Sequence, residues 1–114
     1  MDCLFCKIAN GEIPADVVYE DDYIIAFRDI EPQAPVHVLV IPRKHIATID
    51  ELTTSAEDKE LLGHLLTNVH IIAEKAGITN GYRLVVNTGE DAIQSVQHIH
   101  FHILGGRKFG WPPG

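Results

Sequence analysis

Residues 98–104 read His-Ile-His-Phe-His-Ile-Leu, a strict alternation of imidazole and apolar side chains. Successive side chains of a β-strand point to opposite faces. The segment therefore predicts a strand that carries three histidines on one face and Ile99, Phe101 and Ile103 on the other. Such a strand requires a sheet with a hydrophobic core on the apolar side, and it leaves open what the imidazole side is for.

His98, His100 and His102 admit three interpretations. A solvated outer face is disfavoured, because threonine or lysine would serve as well and histidine is a poor strand former. Three histidines could instead hold a catalytic metal ion. In the third interpretation a neutral imidazole acts as nucleophile or base, since its unperturbed pKa of roughly 6.5 leaves a free lone pair at physiological pH. Crowded imidazoles also make a second proton costly, which keeps one ring neutral.

The remaining pattern predicts an α+β fold. Apolar residues recur at three- and four-residue steps over residues 55–76, which indicates an amphipathic helix, with a capping box at Thr54–Glu57 and a stop at Gly77. Strand patterns occupy the rest of the chain: a hairpin over residues 16–30, a strand buried on both faces over 36–42, and a strand over 81–89. Antiparallel strands with one long helix predict a sheet that is covered by that helix on one face.

Length and net charge limit the number of domains and the classes of partner that the chain can have. A chain of 114 residues predicts a single domain over residues 1–114. The net charge of −7 disfavours a nucleic-acid partner, and no apolar run approaches the roughly 18 residues that a membrane span needs. The N-terminal residues lack an apolar leader segment, so we expect a cytoplasmic protein with reduced cysteines.

Cys3 and Cys6 form a Cys-x-x-Cys pair. In a reducing compartment this spacing indicates metal ligands or a redox pair. The βαβ context that a thioredoxin-like redox pair requires is absent from the pattern. Two thiolates need two further ligands to complete a tetrahedral zinc site, and histidine is the available residue type.

Five blocks of the sequence resemble the histidine triad (HIT) family. His98–Leu104 is similar to its signature His-φ-His-φ-His-φ-φ, where φ is apolar. Four further segments are similar to the branch of histidine triad nucleotide-binding phosphoramidases, in the same order and spacing: FCKIANGEIPADVVYEDD, AFRDIEPQAPVHVLVIPRKHI, YRLVVNTG and LGGRKFGWPPG. The resemblance covers most of the chain.

The resemblance implies a HIT-like fold, with a five-stranded antiparallel sheet, one long helix and a short N-terminal helix. It implies hydrolysis of purine nucleoside 5′-phosphoramidates, in which His100 Nε2 attacks the α-phosphorus and water then hydrolyses the nucleotidyl-histidine. His100 must then hold its proton on Nδ1, through a backbone carbonyl, while His102 hydrogen-bonds a phosphate oxygen or the departing group. Hydrolysis of dinucleoside polyphosphates and a purine-nucleotide-binding regulatory module are the alternatives.

Matching positions of the family imply the nucleotide-binding set. Asp29 would bind the ribose hydroxyls, and apolar side chains would enclose the base, although the sequence pattern alone places the apolar ones in the core. The implied set is Phe5, Ile8, Phe27, Asp29, Ile30, Asn87, Gln94, Ser95, His100 and His102. Members of the family tend to have glycines in the phosphate loop, where this chain has Asp91-Ala92-Ile93. The bulky side chain of Ile93 bears on affinity and substrate choice, because backbone would otherwise approach the ligand there.

The resemblance also implies a structural zinc ion on Cys3, Cys6, His45 and His98, and no organic cofactor. His45 and His98 thereby complete a catalytic centre with His100 and His102. The resemblance further implies a homodimer in which two sheets join and the C-terminal tail, Phe109–Pro113, reaches the partner's active site, whereas the sequence alone is equally consistent with a disordered tail. His37, His64 and His70 receive no functional role, since strand packing or solvent exposure accounts for them.

Overall fold

The computed structural model describes residues 3–114, and these form a five-stranded antiparallel sheet with two α-helices and a 3₁₀ helix at Ile49–Glu51. The expected α+β class, five-stranded sheet, long helix and short N-terminal helix are confirmed. In chain order the elements are α1 (Leu4–Ala9), β1 (Val17–Glu20), β2 (Ile24–Arg28), β3 (Val36–Pro42), α2 (Ala56–Lys75), β4 (Tyr82–Val86) and β5 (Phe101–Gly105).

The strand order β1-β2-β3-β5-β4 makes β3 the central strand. Six of its seven residues are buried, including His37, as the nearly continuous apolar run predicts. β5 pairs with β3 on one side and with β4 on the other, so the histidine segment lies next to the centre of the sheet.

Helix α2 covers one face of the sheet. It begins after Ser55, whose hydroxyl accepts a hydrogen bond from the amide of Asp58. The predicted capping box at Thr54–Glu57 is therefore wrong by one position, because Ser55 is the N-cap residue. The core between α2 and the sheet consists of fourteen buried residues, among them Leu65, Ile72, Ile99 and Ile103.

The N-terminal segment covers the opposite face of the sheet. Phe5 and Ala9 of α1 pack with Phe27, Leu39 and Ile41 in a second, smaller cluster. Arg43 fastens this segment to the sheet, since its guanidinium donates to the backbone carbonyls of Ala9 and Asp21 and to the carboxylate of Glu20.

The strand of the histidine segment is shorter than its sequence predicts. Regular pairing begins only at Phe101, so His98 and His100 precede the ladder. The expected division of faces nevertheless holds, because Ile99, Phe101 and Ile103 belong to the core beneath α2. The histidine face is not solvated, since His98 and His100 are 0% and 3% exposed.

The C-terminal tail folds back on β4. Arg83 donates a hydrogen bond to the carbonyl of Gly110, and the guanidinium groups of Arg83 and Arg107 lie 5.1 and 4.2 Å from the centroid of the Phe109 ring. Trp111 remains 83% exposed. Among residues 3–114, no helix combines the length and apolar character that crossing a membrane requires.

Replacement of Leu65 by alanine tests the packing of α2. Leu65 is fully buried between α2 and the sheet, and truncation of such a side chain leaves a cavity that lowers the free energy of unfolding by about 2–4 kcal/mol. Lys59→Ala on the exposed side of the same helix is the control, with a change within about 0.5 kcal/mol. Chemical denaturation measures both, and equal losses would contradict the packing described.

Candidate active site

A cavity of about 720 Å³ lies between the N-terminal segment and the sheet face that carries the histidines. Eight of the ten residues that the sequence assigns to nucleotide binding line it: Phe5, Ile8, Phe27, Asp29, Ile30, Ser95, His100 and His102. The two others, Asn87 and Gln94, are not among its lining residues. Ile30 is 94% exposed at this cavity, which leaves a large apolar side chain available to a ligand.

Gln94 holds the loop that precedes the histidines. Its side-chain amide donates to the carbonyls of Ala47 and Val96, and its carbonyl oxygen accepts from the amide of Gly89. All three contacts are internal to the protein. Gln94 therefore positions this loop, and Asn87 is half-buried directly after β4. Nucleotide contact by Gln94 and Asn87 stays a prediction.

His100 has one ring nitrogen fixed by the backbone. Its Nδ1 lies 2.8 Å from the carbonyl oxygen of His98, which can only accept, so Nδ1 carries the proton. This is the carbonyl contact that the sequence analysis requires. Nε2 therefore keeps a free lone pair, and the edge-to-face contact with Phe5, 5.1 Å between ring centroids, holds the ring in place.

His37 fixes the tautomer of His102. The amide of Gln33 donates to His37 Nδ1 at 3.0 Å, so a neutral His37 carries its proton on Nε2. That Nε2 lies 2.9 Å from His102 Nδ1, which must accept. His102 consequently presents N–H at Nε2, the one buried side-chain nitrogen or oxygen within residues 3–114 that lacks a hydrogen-bond partner. A ligand oxygen would satisfy this donor.

Burial keeps this histidine pair uncharged. The pKa of His102 is lowered to about 4, first by burial and then by the neighbouring His100 and His37, although Asp29 opposes the shift. Burial also lowers the pKa of His37, again against the effect of Asp29. A proton on His102 Nδ1 would face the N–H of His37, so geometry and burial agree that His102 is a neutral donor.

Sequence reasoning assigned no function to His37, which the structure places beside His102. The available signal was the register of β3 on β5, since pairing of Leu39 with His102 brings His37 diagonally opposite on the same face. The pattern of each strand alone shows that it carries a histidine, but it does not show that the two histidines are partners. His64, also left without a role, contacts the Asp21 carboxylate at 2.7 Å and joins α2 to the hairpin turn.

Asp29 retains acceptor capacity for a ligand. One of its oxygens accepts from the amide of Glu31 at 2.9 Å, and the other lies 3.5 Å from His37 Nε2. A carboxylate has about four acceptor sites. The Asp29 carboxylate can therefore still accept hydrogen bonds from two hydroxyl groups.

Cys3, Cys6, His45 and His98 form a cluster whose four ligand atoms all lie within 4.8 Å of one another. His98 Nδ1 lies 3.3 Å from Cys3 Sγ, and His45 Nδ1 lies 3.2 Å from Cys6 Sγ. His98 Nε2 lies 2.7 Å from the carbonyl oxygen of Pro42, to which it donates. That contact leaves Nδ1 unprotonated toward the thiols, the arrangement that a metal-bound histidine requires, so the four residues could bind a metal ion.

Asp29, His37 and His102 also place three potential ligand atoms within 4.8 Å. Their hydrogen bonds argue against a metal ion there. A neutral His37 whose Nδ1 accepts from Gln33 must carry a proton on Nε2, the atom that would have to ligate. We interpret this group as a hydrogen-bonded chain and not as a metal site.

The family model described as HIT domain matches residues 10–109 of the chain. The chain belongs to the HIT family. An uncharacterized HIT-like protein of Synechococcus elongatus is 58% identical over 113 residues, which cover 99% of this chain and 97% of that protein. An uncharacterized HIT-like protein of Synechocystis is 52% identical over 113 residues, which again cover 99% of this chain and 97% of that protein.

Solved structures of HIT proteins share this fold. The crystal structure of a HIT family hydrolase from Legionella pneumophila is 55% identical, with a TM-score of 0.92 over 99% of this chain and 100% of that one. A histidine triad protein from Clostridium difficile is 43% identical, with a TM-score of 0.88 over 96% of this chain and 95% of that one. HIT membership and hydrolase neighbours support hydrolysis as the general chemistry of the site.

The His37–His102 contact can be tested by titration of the ring nitrogens. We expect His102 to titrate near pH 4, with its proton on Nε2 at neutral pH. His37→Ala removes the donor from Nδ1 and lessens burial, so the pKa of His102 should rise. Nitrogen-detected NMR measures both, and His70→Ala, at an exposed position on α2, is the matched control that should leave the titration of His102 unchanged.

The lowered pKa of His102 also predicts how the free energy of unfolding changes with pH. The folded-state pKa of His102 lies below the unfolded value of roughly 6.5, so between about pH 6.5 and 4 only the unfolded chain takes up this proton. The free energy of unfolding should therefore fall as pH falls through this window. His102→Asn should make the fall shallower, and an unchanged slope would contradict a neutral, half-buried His102.

Proposed function

We propose that this HIT chain hydrolyses purine nucleoside 5′-phosphoramidates through a nucleotidyl-His100 intermediate. The observation that carries the proposal is the hydrogen bond from His100 Nδ1 to the carbonyl of His98, which leaves Nε2 bare beside the cavity. A neutral imidazole with a free nitrogen is a competent nucleophile toward phosphorus. The resemblance of residues 98–104 to the triad signature supports the same assignment.

The reaction proceeds in two displacements at the α-phosphorus. In the first, His100 Nε2 bonds to phosphorus while the P–N bond breaks, and the amine departs with the bonding pair and takes a proton from solvent. In the second, water forms the new P–O bond, gives up a proton to solvent, and the imidazole leaves with the electrons of the P–Nε2 bond. The net reaction converts phosphoramidate and water into nucleoside monophosphate and amine.

His102 stabilises the negative charge that develops on the nonbridging oxygens of the phosphoryl group. Its Nε2–H is an unpaired donor that a nonbridging phosphate oxygen would satisfy. A fixed donor needs no reorganisation when negative charge develops, which is the main source of such stabilisation. His37 is the positioning residue for this donor, because its own Nε2–H excludes the other tautomer of His102.

The nucleoside occupies the arm of the cavity between α1 and β2. Apolar side chains from both elements, including Phe5, Ile8 and Phe27, offer two walls for a flat base. The Asp29 carboxylate lies in the same cavity and would accept from the ribose hydroxyls. Apolar walls discriminate weakly between adenine and guanine, so we include both in the proposed substrate class.

Replacement of His100 tests the covalent step. With adenosine 5′-phosphoramidate, we expect AMP release to fall by at least ~10³-fold in His100→Ala, because the nucleophile is lost. Mass spectrometry of quenched wild-type protein should show a nucleotidyl adduct on the peptide that contains residues 98–102. His70→Ala provides a histidine-removal control with wild-type turnover. Full activity in His100→Ala would disprove the mechanism.

The two alternative functions give different results in the same assay. A dinucleoside polyphosphate hydrolase, which would use the same nucleophile, should cleave diadenosine polyphosphates with a higher kcat/KM than the phosphoramidate. A regulatory module should bind AMP tightly and turn over neither substrate. The hydrolase neighbours favour turnover over binding alone.

We further propose that Cys3, Cys6, His45 and His98 hold a structural zinc ion. Two thiols and two imidazoles match the preference of tetrahedral zinc, and the Pro42 carbonyl orients His98 as a second-sphere acceptor. Burial, followed by the effect of Cys3, raises the pKa of the Cys6 thiol to about 11, so binding of a metal ion must displace its proton. His98 also supplies the carbonyl that fixes His100, which links the cluster to the nucleophile.

Metal analysis tests this site independently of activity. Protein purified without chelator should contain about one zinc per chain, and Cys6→Ser should lose it and unfold at a lower temperature. Because α1 carries part of the nucleotide wall, Cys6→Ser should raise KM more than it lowers kcat. His64→Ala, at a histidine outside the cluster, should retain the metal, and wild-type protein without stoichiometric zinc would refute the site.

We propose a cytoplasmic homodimer formed from single HIT domains over residues 1–114, with neither nucleic acid nor membrane as partner. β4 is an edge strand, and Tyr82 and Leu84 on it are 41% and 38% exposed. Leu66 and Ile71 of α2 are exposed as well. An apolar edge strand is a suitable site for pairing with a second copy of the chain.

A further inference from the structure

Ile93 is the only non-glycine residue among positions 3–114 with a positive φ, at 55°. A β-branched residue in this left-handed region is strained. Its side chain is 82% exposed, so packing within the chain does not compensate for the strain. A conformation of this kind suggests that the side chain has a use outside the folded chain itself.

The loop around Ile93 is fixed from its base. The amide of Ile93 donates to the carbonyl of Glu90 at 2.9 Å, and the amide of Gln94 donates to that of Gly89 at 3.1 Å. The side chain of Gln94 adds contacts with Gly89, Ala47 and Val96. These bonds hold the backbone at Ile93 in its conformation, while its side chain remains exposed.

The loop that carries Ile93 borders the reacting centre, although Ile93 itself is not among the lining residues of the cavity. Ser95 and Val96, which follow Ile93 by two and three residues, line the cavity together with His100 and His102. The nucleoside arm of this cavity is formed by α1 and β2. In an in-line displacement the leaving group departs on the side opposite the attacking nitrogen. Because the proposed nucleoside arm lies toward α1, the departing amine would leave toward the side of the cavity that Ser95 and Val96 line.

We propose that Ile93 is a specificity-determining residue that contacts the substituent of the leaving amine. The inference rests on the proposed function and narrows its substrate class to phosphoramidates whose amine carries an alkyl or aromatic group. Such a group covers the exposed isoleucine and removes apolar surface from water. Unsubstituted phosphoramidate reaches the same nucleophile without that contact. Ile93 takes no part in bond making or proton transfer.

Two substrates and two variants test the proposal. The substrates are adenosine 5′-phosphoramidate and its N-(2-phenylethyl) derivative, and the wild-type protein should have the higher kcat/KM for the derivative. Ile93→Gly and Ile93→Asn both tolerate a positive φ and remove the apolar side chain. We expect each to lower the preference for the derivative by about tenfold, chiefly through KM, with unsubstituted turnover within about twofold of wild type.

A thermal scan provides a second readout. Relief of the strained backbone should raise the Tm of both variants by about 3–6 °C, which shows that their altered preference does not reflect unfolding. Ala92→Gly is the matched control, since it loosens the same loop while Ile93 remains. This control should keep the wild-type preference.

The outcomes separate this inference from the function on which it rests. If the wild-type protein hydrolyses both substrates but Ile93→Gly keeps the wild-type preference, the role of Ile93 is overturned and the hydrolase stands. An equal loss of preference in Ala92→Gly would also overturn it, because loop rigidity would then be responsible. Failure of folded wild-type protein to hydrolyse either substrate would overturn the hydrolase and the inference together.

Discussion

The antiparallel pairing of β3 with β5 is the interaction on which both sides of the molecule depend. It sets Val38 against Ile103 and Val40 against Phe101 beneath α2, which fills the larger core. The same ladder sets Leu39 against His102 on the opposite face and so brings His37 within hydrogen-bond distance of that histidine. A slip of one residue would exchange the two faces and remove core and site at once.

Backbone groups determine which nitrogen of each central histidine carries a proton. The carbonyl of His98 fixes His100, the carbonyl of Pro42 fixes His98, and the amide of Gln33 acts on His102 through His37. Burial lowers the pKa of His98 and His102, so neither ring takes up a proton that would disturb this order. The protonation pattern of the site therefore depends on backbone groups within β3 and directly before β3 and β5, while the side chain of Gln94 holds the adjoining loop.

The sequence predicts most of the fold because its apolar periods differ clearly between elements. Alternation identifies the faces of the histidine segment, and the three- and four-residue repeat identifies α2. Eight of the ten residues that were assigned to nucleotide binding, through motifs that resemble a known family, line the cavity. The role of His37 was not predicted because its partner, His102, lies 65 residues away in the sequence and only the strand register brings the two together. The same limit applies to Gln94, whose contact with Ala47 spans 47 residues, and to the backbone angle of Ile93, which neighbouring hydrogen bonds impose.

The two faces of the sheet are unequally protected. One is covered by a twenty-residue helix, and the other by a segment whose only helix, α1, has six residues. A helix of that length has little stability of its own and relies on its contacts. Local opening should therefore begin at α1, with amide hydrogens there exchanging faster than those of α2. Because α1 forms one wall of the cavity, such a fluctuation provides a path by which bulky ligands enter and leave while the larger core remains intact.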